Sequence, residues 1–402
     1  MNNNSTRIDV IFDRYFDKTT KAARIKRGDS SRRVVNPDKQ VPKVWGEFLK
    51  NTQNKETLFC LLADVITTCP SGIQVIATKH ENVLSNVRSE HAISLLQPCD
   101  HEEADTRIFL HVLHASQAGH SKIMIRSTDT DVLVIATHLF QQLAVEELWI
   151  AFGVAKNLKH IPIHELHYSL RPSLASGLTF LHAFSGCDST SAFMGIGKTT
   201  VYNKAVKAPD TVLVAFKELS TNPATLSEET FAVIESFVVQ MYGADSTKDI
   251  NSTRHQLVAR GKTIDRVPPT KESLRQHTKR AAFQAGHVWA CSLKTIQNRP
   301  PFNEWGWQHS EDGSALIPFW TVLPPKSATC NQLIKCTCKS GCRGRCQCKQ
   351  KKLPCTALCV CEGKCGGQTV EVLAAVVMDV EPQDDAVACD HDASSVPATM
   401  DI

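Results

Sequence analysis

Nine cysteines between Cys336 and Cys365, spaced C-x-C-x3-C-x3-C-x-C-x6-C-x3-C-x-C-x3-C, constrain this chain more than any other feature, because few chemistries besides zinc need so many thiols so close together. Tetrahedral zinc takes four ligands, so three ions need twelve bonds, and nine thiolates supply twelve when six are terminal and three bridge. The count closes without histidine. The competing reading is a secreted disulfide scaffold. Against it, the opening MNNNSTRIDV has no apolar signal-peptide core, and the remaining cysteines lie scattered outside the cluster, so a reducing compartment is expected. The apolar run VLAAVVM (372–378) is far too short to span a membrane, and a soluble protein is expected.

Within the segment, Lys339, Arg343, Arg345, Lys349, Lys351, Lys352 and Lys364 stand against Glu362 alone, so the metal knot is net basic. Its spacing resembles the tesmin-type CXC family of cysteine-rich DNA-binding modules, with Cys336, Cys338, Cys342, Cys346, Cys348, Cys355, Cys359, Cys361 and Cys365 on the matching positions. The resemblance implies about three structural Zn2+ and a duplex-DNA partner. Arg343, Arg345, Lys349, Lys351 and Lys352 are the expected phosphate contacts. Arg345 stands where the family has a tyrosine, which implies weak base preference. Residues 366–402 hold eight Asp and Glu and no Lys or Arg, the composition of a disordered acidic tail. It is either a solvated charge run or a competitor with nucleic acid for the adjacent knot.

The rest of the chain reads as alternating strand and helix. DVIFD (9–13), IQVIAT (73–78), KIMIR (122–126) and LWIAFG (148–153) have the pattern of buried parallel strands, giving an α/β sheet. A helix is expected from near Glu103, with Ala104, Ile108, Val112 and Ala115 on one face and Gly119 as its stop. Acids gather where such a sheet keeps its ligand site, beyond the carboxyl ends of the strands. HEEADTRIF puts Glu103 and Asp105 at a helix start, STDTDVLVI puts Asp129 and Asp131 after a strand, and SGCDSTSAFMGIGKTT puts Asp188 before a glycine-marked turn. Each acid taken singly is an ordinary cap or turn residue.

In this order the motifs resemble the flap-endonuclease-like 5′ nucleases of the PIN-like fold, from about residue 8 to about residue 215. IPIHEL (161–166) resembles the segment before the last acid. The resemblance implies that Glu103, Asp105, Asp129, Asp131 and Asp188, with Asp13 of VIFDRY, hold two Mg2+ or Mn2+ for phosphodiester hydrolysis. It also implies a helix-two-turn-helix at Gly195, Ile196 and Gly197, with Lys198 as a phosphate contact. The cationic stretch from Lys21 to Arg33 falls where that family guides a DNA strand. An acidic strand that the family places upstream of V-F-D has no counterpart here, so activity of the chain is an open expectation.

GIGKTT ends like a nucleotide-binding P-loop, but Ala192 occupies its first glycine position and no strand leads into it, which argues against an ATPase. His111 and His114 share a helix face and are assigned to packing. Helices are expected over 216–245 and 272–293, the latter N-capped by Thr270. Trp305, Trp307 and Trp320, set among turn residues, either stack bases or pack onto the large domain. The expected organisation is a PIN-like domain over 1–245, a helical and Trp-containing connector over 246–329, a zinc module over 330–366 and the tail over 367–402. The expected protein is a nuclear metal-dependent DNA nuclease tethered by a zinc module, with branched or single-stranded DNA at the nuclease domain. The alternative is an inactive nuclease-like, zinc-dependent DNA-binding factor.

Overall fold

A computed structural model describes residues 5–16, 19, 31–40, 42–69, 72–87, 93–221, 223–244, 249–313, 315–321, 336–338, 342, 346–350, 355 and 359–361. The chain divides into two compact units, Met1–Thr321 and Val322–Ile402.

The larger unit is α/β with two three-stranded mixed sheets. Strand β1 (Arg7–Val10) is followed by helices α1 (Trp45–Lys50) and α2 (Thr52–Thr68), then by β2 (Gln74–Lys79) and β3 (Asn82–Ser85). β1 runs parallel to β2, with Ile8 opposite Val75, and β3 returns antiparallel to β2. After helix α3 (Ala104–Gln117) comes β4 (Lys122–Ser127), helix α4 (Thr130–Leu139), β5 (Glu147–Phe152) and β6 (Lys159–Pro162). β4 is parallel to β5, with Ile125 opposite Ile150, and β6 is antiparallel to β5.

Each of the four apolar runs therefore overlaps a strand, in two parallel pairs, although β1 takes in only Asp9 and Val10 of the run 9–13. The expectation of a uniformly buried parallel sheet needs correcting. β3 and β6 add antiparallel edges, and the sheet is split between β1 and β4. Among the described residues β1 and β4 each have one strand neighbour, which leaves Ile8 45% and Met124 55% exposed. Apolar periodicity alone does not say whether a strand has one neighbour or two.

Helix α3 packs on both sheets. Leu110 joins Ile76 and Val83 of the first, with Leu96 and Cys99 beside them, while Phe109 and Val112 join Ile125, Leu148 and Ile150 of the second, with Ile135 of α4. Gly119, at φ +93°, closes the helix, since that backbone region suits glycine. Polar ties run along its length. His111 Nδ1 lies 2.7 Å from Asp9 Oδ2, Arg7 donates to Asp9 at 2.7 Å, and Arg7 lies 2.9 Å from His114 Nδ1. His111 and His114 thus pack β1 against α3. Arg107, 1% exposed, reaches the other way and donates to the carbonyls of His80, Glu81 and Asn82, fixing the β2–β3 turn.

The helical half contains α5 (Ile163–Ser169), α6 (Pro172–Ser185), α7 (Lys198–Val206), α8 (Asp210–Ser220), α9 (Glu228–Met241), α10 (Ile250–Ala259) and α11 (Lys271–Ala282). α6 lies close against α8 because Gly177 has no side chain; a Cβ there would sit 2.6 Å from Phe216 Cβ. Thr270 caps α11 by accepting the Ser273 N–H, as expected. The helix then widens into a π-helical stretch, Phe283–Trp289, so the run expected over 272–293 is not a single α-helix. Phe283, Trp289 and Trp305 share one core with Phe180, Phe184, Phe216 and Phe237. Each of these rings contributes about 2–3 kcal/mol of burial. Trp305 and Trp307 are buried, while Trp320 is exposed and takes Arg280 over its ring at 5.3 Å. A hairpin, β7 (Trp307–His309) with β8 (Leu316–Pro318), ends the unit.

The smaller unit is described through its cysteines and one helical turn, α12 (Gln347–Gln350). Among the described residues no helix is long and apolar enough to cross a membrane.

Candidate metal centres

Carboxylates collect where α3 and α4 begin. Asp105 stands in the first turn of α3, whose N-cap is Glu103. Asp13, just past β1, accepts the Ala104 N–H at 2.8 Å and so satisfies one of the amides the helix start leaves open. Asp129 is the N-cap of α4 and accepts the Asp131 N–H at 2.8 Å, which turns both carboxylates to the same end of the helix. Oxygens of Asp105, Asp129 and Asp131 lie within 4.8 Å of one another. Burial pushes the Asp105 carboxyl up to about 8, and the charges of Asp129, Glu103, Asp13 and Asp131 push in the same direction. Such crowding is unfavourable without a cation, and an all-oxygen donor set suits a hard ion such as Mg2+ or Mn2+.

Asp188 is exposed in the turn closed by the Cys187–Thr190 bridge, outside that tight trio. Its charge acts on Lys198, together with those of Asp131 and Asp129. Desolvation pulls the Lys198 ammonium down, and these acids, with Cys187, offset part of the effect. Gly195, at φ +73°, and Gly197, the N-cap of α7, stand in open space with no atom near a built Cβ, and Lys198 is the first residue of α7.

His182 was not singled out in the sequence. Buried in α6, it brings Nε2 to 2.7 Å from Asp131 Oδ1, and Lys198 Nζ lies 3.1 Å from the same nitrogen. The Trp289 ring, 5.8 Å away, backs the imidazole. Ser189, beside Asp188, donates to Gln284 Oε1 at 2.8 Å. The π-helical stretch thus supports the acid-bearing loop from behind. The available signal was a lone ionisable residue inside the apolar run LASGLTFLHAF.

The second centre is made of sulfur. Three overlapping groups of four cysteines have mutually close Sγ atoms: Cys336, Cys342, Cys355, Cys361; Cys336, Cys346, Cys348, Cys355; and Cys336, Cys338, Cys342, Cys346. Cys342, Cys346 and Cys355 each fall in two groups. Sγ separations of 3.4 Å for Cys342–Cys355, 3.6 Å for Cys336–Cys342 and 3.8 Å for Cys336–Cys361 are far from a disulfide bond. They are close to the about 3.8 Å that tetrahedral Zn–S bonds of about 2.3 Å impose on neighbouring sulfurs. Cys359 lies 3.7 Å from Cys348 and accepts the Cys336 N–H. The Lys349 N–H holds the Cys346 thiol down at about 6, whereas desolvation pushes Cys338 up to about 11 and Cys348 to about 12.

No family model, curated protein or solved structure matches this chain. Both centres therefore stand on their own geometry: a hard-oxygen cluster in the larger unit and a thiol cluster in the smaller one, each able to coordinate metal. Lys349 is exposed on α12. Cys365, Arg343, Arg345, Lys351 and Lys352 lie outside the described residues, as do Lys18, Lys21, Arg24, Lys26, Arg27 and the acidic tail.

Proposed function

We propose that this chain is a metal-dependent nuclease of the PIN-like, 5′-nuclease type, held on DNA by a zinc–thiolate CXC module. The observation that carries the reading is the convergence of Asp105 with Asp129 and Asp131, residues from separate motifs, to within 4.8 Å at the starts of two helices. Asp105, Asp129 and Asp131 hold the cation, with Asp13, Glu103 and Asp188 around them. Two Mg2+ or Mn2+ bound there would supply an activated water and stabilise the leaving oxygen. His182 orients Asp131. Lys198, beside these acids, offers its ammonium to a phosphate, and the open glycine turn before it leaves room for a DNA backbone. In the smaller unit the nine cysteines would hold about three structural Zn2+ as thiolates, some of them shared between ions. Arg343, Arg345, Lys349, Lys351 and Lys352 contact phosphates, and the work is nuclear.

The test is cleavage of a panel of flap, single-stranded and duplex DNA with Mg2+ or Mn2+, comparing the native sequence with Asp131→Asn. Cleavage that needs the metal and is lost in the variant is the expected result; cleavage unaffected by the substitution overturns the assignment. A second reading keeps both metal centres and the DNA tether but drops the catalysis. The division of the sheet between β1 and β4 favours it, because the acids are carried by elements on both sides of that division. Metal binding without cleavage of any substrate would select it.

A further inference from the structure

At the β2–β3 turn that Arg107 fixes, a second set of reactive groups comes together. Cys60 and Glu56 are one helical turn apart on α2, and both reach the same imidazole. Cys60 Sγ lies 3.2 Å from His80 Nε2, and His80 Nδ1 lies 3.3 Å from Glu56 Oε1. The contacts run from sulfur to ring to carboxylate, which is the order of nucleophile, base and orienting acid. It is not a converging metal site, since each imidazole nitrogen is already matched to one partner. The turn holds the ring in place: His80 has φ +51°, and its carbonyl is fixed by buried Arg107. A recess lined by Phe12, Arg14, Phe59, Thr78 and Lys79 opens beside the thiol.

We propose that Cys60, His80 and Glu56 form a base-assisted thiol site that takes small electrophiles, with peroxides as the chemical class. A proton on Nδ1 would face the Glu56 carboxylate at ion-pair distance, which leaves Nε2 to accept the thiol proton. Sulfur attacks the terminal oxygen of a hydroperoxide, the S–O bond forms and the O–O bond breaks. The proton taken by His80 passes to the leaving alkoxide, giving an alcohol and a sulfenic acid at Cys60. Sulfur loses two electrons and the peroxide gains them, so no further reactant is needed. Burial pushes the Cys60 thiol up; Lys79 offsets part of this, and Glu56 and Asp64 add to it. The resting thiol is thus protonated, and the imidazole matters as its base. The recess shares Asp13 with the acid cluster, but the thiol chemistry does not depend on the nuclease reading.

Cys69, exposed at the C-terminal end of the same helix, provides an internal reference. The zinc-loaded full chain is treated with iodoacetamide near neutral pH, and peptide mass mapping follows alkylation of each thiol with time. Cys60, though less exposed, should react about a hundredfold faster than Cys69, the low end of what a positioned base confers. His80→Asn, which tolerates the positive φ of the turn, should abolish that advantage, and Glu56→Gln should reduce it. Tryptophan fluorescence checks that the variants remain folded. Hydrogen peroxide followed by dimedone should label Cys60 in the native sequence and not in His80→Asn. Alkylation of Cys60 no faster than Cys69, or at a rate unchanged by His80→Asn, overturns the proposal.

Discussion

Replacing Asp105 by Asn should stabilise the protein in the absence of divalent metal, and the gain should depend on pH. Burial and four neighbouring acids raise this carboxyl from 3.8 to about 8. A folded-state value above the unfolded one means that its full stability is present below the unfolded value and is lost progressively as the pH climbs through about 8. At about 1.36 kcal/mol per unit, the destabilisation reaches about 6 kcal/mol above pH 8 as an upper bound, against about 1–2 kcal/mol near pH 5. Asn removes the charge and keeps the shape. The assay is urea unfolding followed by tryptophan fluorescence, in buffer freed of Mg2+ and Mn2+. All six tryptophans lie in the Met1–Thr321 unit, so the signal reports on that unit with the zinc module left intact. Millimolar Mg2+ should narrow the difference by stabilising the native sequence more than the variant. A gain equal at about pH 5 and about pH 8.5, or no gain at either, would refute the idea that the acids are held together against their own repulsion.

His182→Ala removes the imidazole that positions Asp131 and should weaken Mn2+ binding by about 10–100-fold, the usual cost of losing such a support, as read by calorimetry. Cys342→Ser, at a thiol shared by two groups, should lower bound zinc by more than one ion per chain in elemental analysis; loss of a single ion would argue against sharing. Gly177→Ala should destabilise the larger unit by about 1–3 kcal/mol in urea unfolding, because the new methyl meets Phe216 and the α6–α8 crossing must open. Duplex-DNA affinity should fall steeply with salt, by about 0.9 counterion per phosphate contacted, and a flat salt response would count against the phosphate-contact reading.

The parts that were legible in the sequence are those with short-range signals. Apolar runs marked four strands, Thr270 and Gly119 marked helix ends, and the cysteine spacing marked the thiol cluster. The acids at 105, 129 and 131 were readable as a group because their motifs follow the order of a known nuclease family, since each alone reads as an ordinary cap or turn residue. What escaped depends on partners distant in the chain. β3 and β6 are four-residue strands whose polar composition resembles loop, and they exist because β2 and β5 offer them an edge. His182 looked like part of an apolar helix until its contact with Asp131, 51 residues away, gave it a purpose. The Cys60–His80 pair likewise joins a helix to a hairpin turn.

Helix α3 has a mechanical consequence. Its two faces grip separate half-sheets, and the acids are distributed across the seam: Asp13 comes from one half, Asp129 and Asp131 from the other, and Asp105 from the helix between them. A cation shared by these groups is a bolt through a hinge. Ion binding should therefore be felt as stiffness well beyond the carboxylates, with slower amide exchange along β1 and β4, and repulsion among the empty acids should act as the spring that opens the seam.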